Sequence, residues 1–430
     1  MGERRNGKRR PTAVAIAVCT GLLLVVPATT ASAVAAPGGH TRADTEATAG
    51  VTPGSVPPGQ DPFYTAPADI ASVAPGRIVA TRPVDLNLIG LPLPVDAWQI
   101  SYRTNDTAGH AELGVTTLAV PVTPWVGTGS RPAVSVEMPE DSDGSQCAPS
   151  YLLDSGSQTP DTSLTAQSVT FAASILAENW AVSIPDFEGS HGEFLAGPQE
   201  GHTVLDGIRA IKEFDTDGVG ASDPWALYGY SGGANAAGWA AQLQPSYAPR
   251  VHLVGAAIGG TPADPTAVAS YIDGGVFSGF EFGAAYGISE AYPSSGITGL
   301  LNAQGKADFA TISNECESDI LSSFAFRHLS GDTTVPDPLA VPSVAAALRK
   351  DTLGAHAPTT PIYDYHADTD EIVPVTQDNT LVSDWCREGA TVQQVRDLLG
   401  EHVEEAVVRT PSVVAFLAAR FAGDEPVDDC

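Results

Sequence analysis

The stretch Trp225-Ala226-Leu227-Tyr228-Gly229-Tyr230-Ser231-Gly232-Gly233 restricts the folds open to this chain more than any other. Four apolar or aromatic residues with strand character run directly into an alanine-rich segment, Gly233 to Leu243, with helical character. No loop separates the two, so the chain must reverse within the G-x-S-x-G turn itself. A strand-to-helix turn that sharp strains the backbone and leaves no room for side chains beside the serine, which is why glycines flank it. The serine hydroxyl is then pushed out at the end of a strand. The N–H groups of the new helix, beginning with Gly232, face the same space and favour negative charge there.

The rest of the chain supplies a sheet to carry that turn. Gly76 to Thr81, Ala97 to Tyr102 and Leu113 to Val120 alternate apolar and polar residues, as half-buried strands do, and are expected to be antiparallel. After them short apolar strands alternate with helices. The strands fall at Pro132 to Val136, Ala181 to Pro185, Trp225 to Tyr228 and Val251 to Ala257. The helices fall at Ser163 to Asn179, His202 to Phe214 and Gly233 to Leu243. The alternation lapses from about Thr261 to Gly354 and resumes with a strand at Pro361 to Tyr365, a helix from Val375 to Arg387, a strand near Thr391 to Val395 and a final helix, Pro411 to Ala422. This pattern predicts an α/β fold: a mostly parallel sheet with helices on both faces and a helical cap inserted between late strands, about residues 261–354. A cap in that place sits above the carboxyl ends of the strands.

A serine nucleophile needs a base and an acid, and in a sheet of this kind they follow it in the order acid, then histidine. Of the nine histidines, His40, His110, His191, His202 and His252 come too early. His328 falls in the cap, His356 before a strand and His366 at a strand end, which leaves His402 in the loop Gly400-Glu401-His402. The acid belongs after the penultimate strand, where Asp368, Asp370 and Glu371 compete within His366 to Pro374, and spacing does not choose among them. As a metal site this cluster matches no ligand spacing, and Asp141-Ser142-Asp143-Gly144 lacks the later glutamate of a calcium loop. The chemistry requires no metal and no organic cofactor.

Charge limits the partners. The chain has 51 acidic and 21 basic residues, a net charge of −30, which is the wrong sign for binding nucleic acid through its phosphates. Hydrophobic residues make up 43% and charged ones 17%, a balance that folds rather than stays disordered. The N-terminus carries five basic residues among the first ten, an apolar run from Ala13 to Pro27 and Ala31-Ser32-Ala33. That is the pattern of a secretory signal peptide, residues 1–33, cut near Ala33. The apolar run is shorter than the roughly 20 residues a spanning helix needs, so stable membrane insertion is not expected. Residues 34–60, rich in Ala, Thr, Gly and Pro, read as a disordered leader, and residues 61–430 as the catalytic domain. In the oxidising compartment this implies, Cys147, Cys316, Cys386 and Cys430 allow three pairings.

Beyond the serine turn, the chain resembles the secreted lipases of the lipase A type, within the α/β-hydrolases. The resemblance runs from about Asp61 to the C-terminus. It rests on Asp61-Pro62-Phe63-Tyr64, Asp141-Ser142, Cys147-Ala148-Pro149-Ser150-Tyr151, Pro185-Asp186-Phe187-Glu188-Gly189 and Ala196-Gly197-Pro198-Gln199, and on the segments around Ser231, Asp370 and His402. It implies an α/β-hydrolase fold with Ser231 as nucleophile, Asp370 as acid and His402 as base. It also implies an oxyanion site at Asp141 and Gly232, and the disulfides Cys147–Cys316 and Cys386–Cys430. The family usually has an aromatic residue two positions before the oxyanion aspartate, and this chain has Pro139. A secreted serine esterase acting on triacylglycerols or related esters is the expected function. A short-chain carboxylesterase or acyltransferase would use the same residues, and a binding protein on a hydrolase scaffold would not need them. The cap run from Val276 to Ile288, with Phe277, Phe280, Phe282 and Tyr286, either lines an acyl site or packs the cap.

Overall fold

Strand alternation in the N-terminal third builds a long antiparallel edge. The computed structural model describes residues 56–88, 91–155, 162–216, 219–220 and 224–430. The expected signal peptide, and the leader as far as residue 55, lie outside these. Within the expected leader, Pro58–Gln60 form a 3-10 turn with Pro58 buried. Strands β1 (Ile78–Val84), β2 (Val95–Asn105) and β3 (Ala111–Pro121) pair antiparallel, with Trp98 opposite Leu118 and Ile100 opposite Thr116.

The next six strands are β4 (Ala133–Glu137), β5 (Ala181–Pro185), β6 (Trp225–Tyr230), β7 (Leu253–Gly259), β8 (Ile362–Ala367) and β9 (Val392–Asp397). They complete a nine-stranded sheet in the order β1-β2-β3-β5-β4-β6-β7-β8-β9, parallel from β5 onward. Every residue of β4, β5, β6 and β8 is buried. Their continuous apolar character comes from cover on both faces.

On one face, Leu205 and Ile208 of the helix Gly197–Phe214, Ala237 and Trp239 of the helix Gly232–Tyr247, and Trp385 of the helix Val375–Arg387 join one core cluster. On the other, Phe171 and Ile175 of the helix Thr162–Ala177 pack with Val413 and Leu417 of the helix Thr410–Ala422.

Between β7 and β8 the chain leaves the sheet and forms helices that include Pro265–Ile272, Ser278–Ala291, Ala303–Ile312, Glu317–Phe324 and Pro342–Lys350. These have their own core, with Phe282, Ile312, Ile320, Phe324 and Val344 buried together. Cys147, just after the β4 strand segment, is bonded to Cys316 at the start of the helix Glu317–Phe324. Cys386 is bonded to Cys430. Both are the pairings that the resemblance implies.

Some elements begin elsewhere than the pattern places them. The helix expected from His202 starts at Gly197, because Pro198 suits the first turn of a helix, where its missing N–H costs nothing. The short helix Pro149–Ser155 is too brief to show a period in the sequence.

Candidate active site

Strand β6 delivers Ser231 into a conformation that side chains rarely adopt, φ 55° and ψ −126°. Such strain persists only where its surroundings hold it. Here Ser231 N–H donates to the Gly259 carbonyl at 2.9 Å, and its own carbonyl accepts from Ala234 and Asn235. The flanking glycines are steric requirements. A Cβ on Gly229 would come within 2.1 Å of the Gly233 carbonyl oxygen, and one on Gly233 within 2.0 Å of that of Glu137.

Three elements converge on this turn. His402 heads the helix His402–Val408, whereas the sequence pattern placed it in a loop. Glu401 caps that helix by accepting the Val403 and Glu404 N–H groups. Glu404 and Glu405 in the first turn complement the helix dipole. The helix has only seven residues, too few for a visible period. The His402 carbonyl accepts from the Tyr230 hydroxyl at 2.6 Å, and its N–H donates to Glu371 at 3.2 Å. The ring is thereby held at both backbone ends, with Nε2 2.9 Å from Ser231 Oγ and Nδ1 2.6 Å from Asp370 Oδ2.

Asp370 lies in the turn after β8. Its Oδ1 accepts the N–H groups of Ile372 at 2.9 Å and Val373 at 2.7 Å. Burial by itself would favour the protonated acid, but hydrogen bonds and positive charge from His366 and His402 hold its carboxyl well below the usual carboxylate range. Of the three competing carboxylates, Asp370 is the one bonded to His402. Glu371 instead takes the His402 backbone N–H, and Asp368 is exposed. Spacing could not have separated them, since the choice depends on how the turn folds back on itself.

Asp141 and Gly232 meet on the other side of the serine. Asp141 is buried, with φ 44°. A Cβ on Gly232 would lie 1.9 Å from its Oδ1, so the carboxyl abuts the start of the helix and only glycine fits there. Burial pushes the Asp141 carboxyl up to about 7, partly offset by the charge of His402.

The serine opens into a cavity of about 250 Å³ whose lining includes Pro139, Asp141, Phe171, Phe277, Phe280 and Val403. A narrower space of about 20 Å³ continues past Phe194, Leu195 and Val268. The aromatic run of the cap therefore divides. Phe277 and Phe280 face the cavity, while Phe282 is fully buried and stacks on Phe324 with centroids 4.9 Å apart. Val403 and Val407 at the cavity, Val408 beyond them, and Leu398 and Leu399 just before the helix are all exposed. Among the described residues no group of three or more His, Cys, Asp or Glu side chains could hold a metal ion.

The secretory lipase family model matches residues 153–429. A secreted triacylglycerol lipase of Malassezia globosa, LIP7, is 34% identical, covering 86% of this chain and 81% of that protein. The probable inactive lipase MT1628 of Mycobacterium tuberculosis is 33% identical, covering 86% of this chain and 84% of its own length. Among solved structures, Candida antarctica lipase A in its closed state superposes with a TM-score of 0.82 at 29% identity, covering 88% of this chain and 89% of that one. With nearly two thirds of its length matched by that family and relatives above 30% identity along most of it, this chain belongs to the secretory lipase family of ester hydrolases.

Proposed function

We propose that this chain is a secreted serine lipase that hydrolyses triacylglycerols or related carboxylic esters through an acyl-enzyme. The observation that carries this reading is the relay from Ser231 Oγ through His402 to Asp370 at 2.9 and 2.6 Å. His402 Nε2 takes the hydroxyl proton as Ser231 attacks the ester carbonyl, and returns it to the leaving alcohol. A water then repeats the cycle on the acyl-serine. Asp370 fixes the tautomer of His402 and offsets the charge of the imidazolium. The backbone N–H groups of Asp141 and Gly232 receive the oxyanion, at about 3 kcal/mol per donor in a comparable hydrolase.

Three features favour a lipid ester. The cavity is lined by Phe171, Phe277 and Phe280, and its rim exposes Val403 and Val407. The name of the Malassezia globosa relative gives its substrate as triacylglycerol. The strongly negative net charge disfavours anionic surfaces, which leaves neutral droplets as the better target.

Because one relative is named inactive, Ser231→Ala is the decisive variant. A loss of at least about 10³-fold in kcat is expected, together with loss of labelling by an organophosphonate. Full activity in that variant would remove the mechanism. A p-nitrophenyl ester series compared with triglyceride emulsion tests the substrate, and activity confined to acetyl and butyryl esters would favour a short-chain esterase.

A further inference from the structure

A second histidine stands directly behind Asp370, on the side away from His402. His366 is the fifth residue of β8 and has no solvent exposure. Its Nε2 lies 2.9 Å from the Val373 carbonyl oxygen and 3.2 Å from Asp370 Oδ2, the same oxygen that bonds His402. Its Nδ1 lies 3.0 Å from Asp378 Oδ2, on the helix Val375–Arg387.

A carbonyl oxygen can only accept, so Nε2 carries a proton. Asp378 Oδ2 already accepts Arg396 Nη2 at 2.9 Å, so it serves as an acceptor at that oxygen and Nδ1 is the donor in its contact too. We infer that His366 is a permanently charged imidazolium that positions and loads the triad acid, and that its charge keeps His402 free to act as a base at acidic pH.

The charges facing the ring agree with this. Asp370 comes from the turn, Asp378 from the helix and Arg396 from β9, while Asp364 lies two residues back on β8, bonded to Arg396. Burial, and then Asp378, push the Asp364 carboxyl up to about 8. Two carboxylates, Asp370 and Asp378, then face two cations, His366 and Arg396. A neutral His366 would leave one buried negative charge without compensation. Burial opposes the charge on His366, yet its hydrogen bonds to Asp370 and Asp378 raise it to about 10. Asp370 Oδ2 therefore sits between two imidazoles, and the cation behind it repels a proton on the one in front.

The inference rests on Asp370 being the acid of the proposed triad, and two readouts separate the claims. In protein labelled with [13Cε1]histidine, His366 should keep its imidazolium signal from pH 5.5 to 8.5, with His366→Gln assigning the peak. Titration below pH 8 would overturn the charge assignment, whether or not the enzyme is active. In kinetics, His366→Gln keeps a donor but loses the charge. The acid limb of kcat/KM should move up by about one pH unit. Asp378→Asn, which removes a negative charge behind the ring while Asp370 still holds it, should move the limb the other way, by a smaller step. A lower kcat with an unmoved limb in both folded variants would mean a structural role only, and would overturn the inference. If Ser231→Ala stayed active, the triad itself would fail, independently of the His366 spectrum.

Discussion

Two groups of buried acids flank Ser231, and they are governed by opposite rules. On the oxyanion side stand Glu137, Glu140, Asp141, Asp143, Glu188 and Glu200, with Asp186 and Asp351 nearby, all buried. None of them forms an ion pair with a basic side chain among the described residues. Burial raises every one of these carboxyls, and several raise one another further. On the histidine side, Asp370 and Asp378 are equally buried, but His366, Arg396 and His402 meet them directly. Burial favours the neutral carboxyl; at Asp370 two imidazoles overturn it, whereas Asp364 stays raised even beside Arg396. The proposed reaction needs that division. Neutral acids beside Gly232 do not repel a developing oxyanion, and an ionised acid behind His402 stabilises the imidazolium that forms at the same moment.

The sharpest way to break this comparison is to neutralise the ionised side. Asp370→Asn should lower kcat by about 10⁴-fold, because the amide presents its N–H to His402 Nδ1 and favours the wrong tautomer. The fold should survive, since Oδ1 still accepts from Ile372 and Val373. Steady-state kinetics on a soluble ester, with a melting curve to verify folding, measure it. A loss below tenfold would place the acid elsewhere.

The second effect concerns stability and has a definite sign. Asp186 stands at about 7 and Asp351 at about 8, above the ordinary carboxylate value near 4. The native state therefore holds protons that the unfolded chain has released, and stability falls as pH rises through that window. His366, raised to about 10, acts in the same direction above about pH 6.5. Asp370, depressed by its partners, acts oppositely and only below about pH 4. The melting temperature should be highest near pH 4, where the two effects meet, and fall by on the order of 10 °C by pH 8. A flat or rising profile in scanning calorimetry would show these acids to be ionised in the native state.

Removing two members of the neutral group should soften that slope. Glu200→Gln with Asp351→Asn replaces two protonated acids by near-isosteres that cannot ionise. At pH 5 the double variant should melt within about 2 °C of the parent, and by pH 8 it should melt higher. An equal slope would mean that neither group releases a proton in the window.

How much of this was legible in the sequence depended on the range of the interaction. Ser231 was visible because strand, glycines and helix are contiguous, and the same local logic located β4 through β9 and the break where the cap begins. His402 emerged from chain order alone, although its helix did not. Asp370 could not be separated from Asp368 and Glu371 by spacing, because Ile372 and Val373 must first turn their N–H groups back onto it. The choice came from the family resemblance. By sequence alone, His366 reads only as a residue at a strand end. Its meaning appears only when Asp378 and Arg396, 12 and 30 positions later in the chain, are brought against its ring. The buried acids gave no signal at all, since a carboxylate excluded from water has the same letter as one on the surface.

The smallest effect is also the closest test of the oxyanion side. At pH 6 the Asp141 carboxyl, raised to about 7, is mostly protonated, so Asp141→Asn exchanges one neutral group for another of nearly the same shape. Its N–H, the group assigned to the oxyanion, is untouched, and kcat/KM should stay within about threefold. Above pH 7 the parent gains a negative charge against Gly232, where the oxyanion must form, while the variant does not. The ratio of variant to parent activity should therefore rise with pH, by several-fold between pH 6 and 9. Parallel profiles would mean that the Asp141 carboxyl does not titrate within reach of the reacting oxygen. A large loss at every pH would mean that this side needs the acid's own shape or acidity, and not only its neutrality.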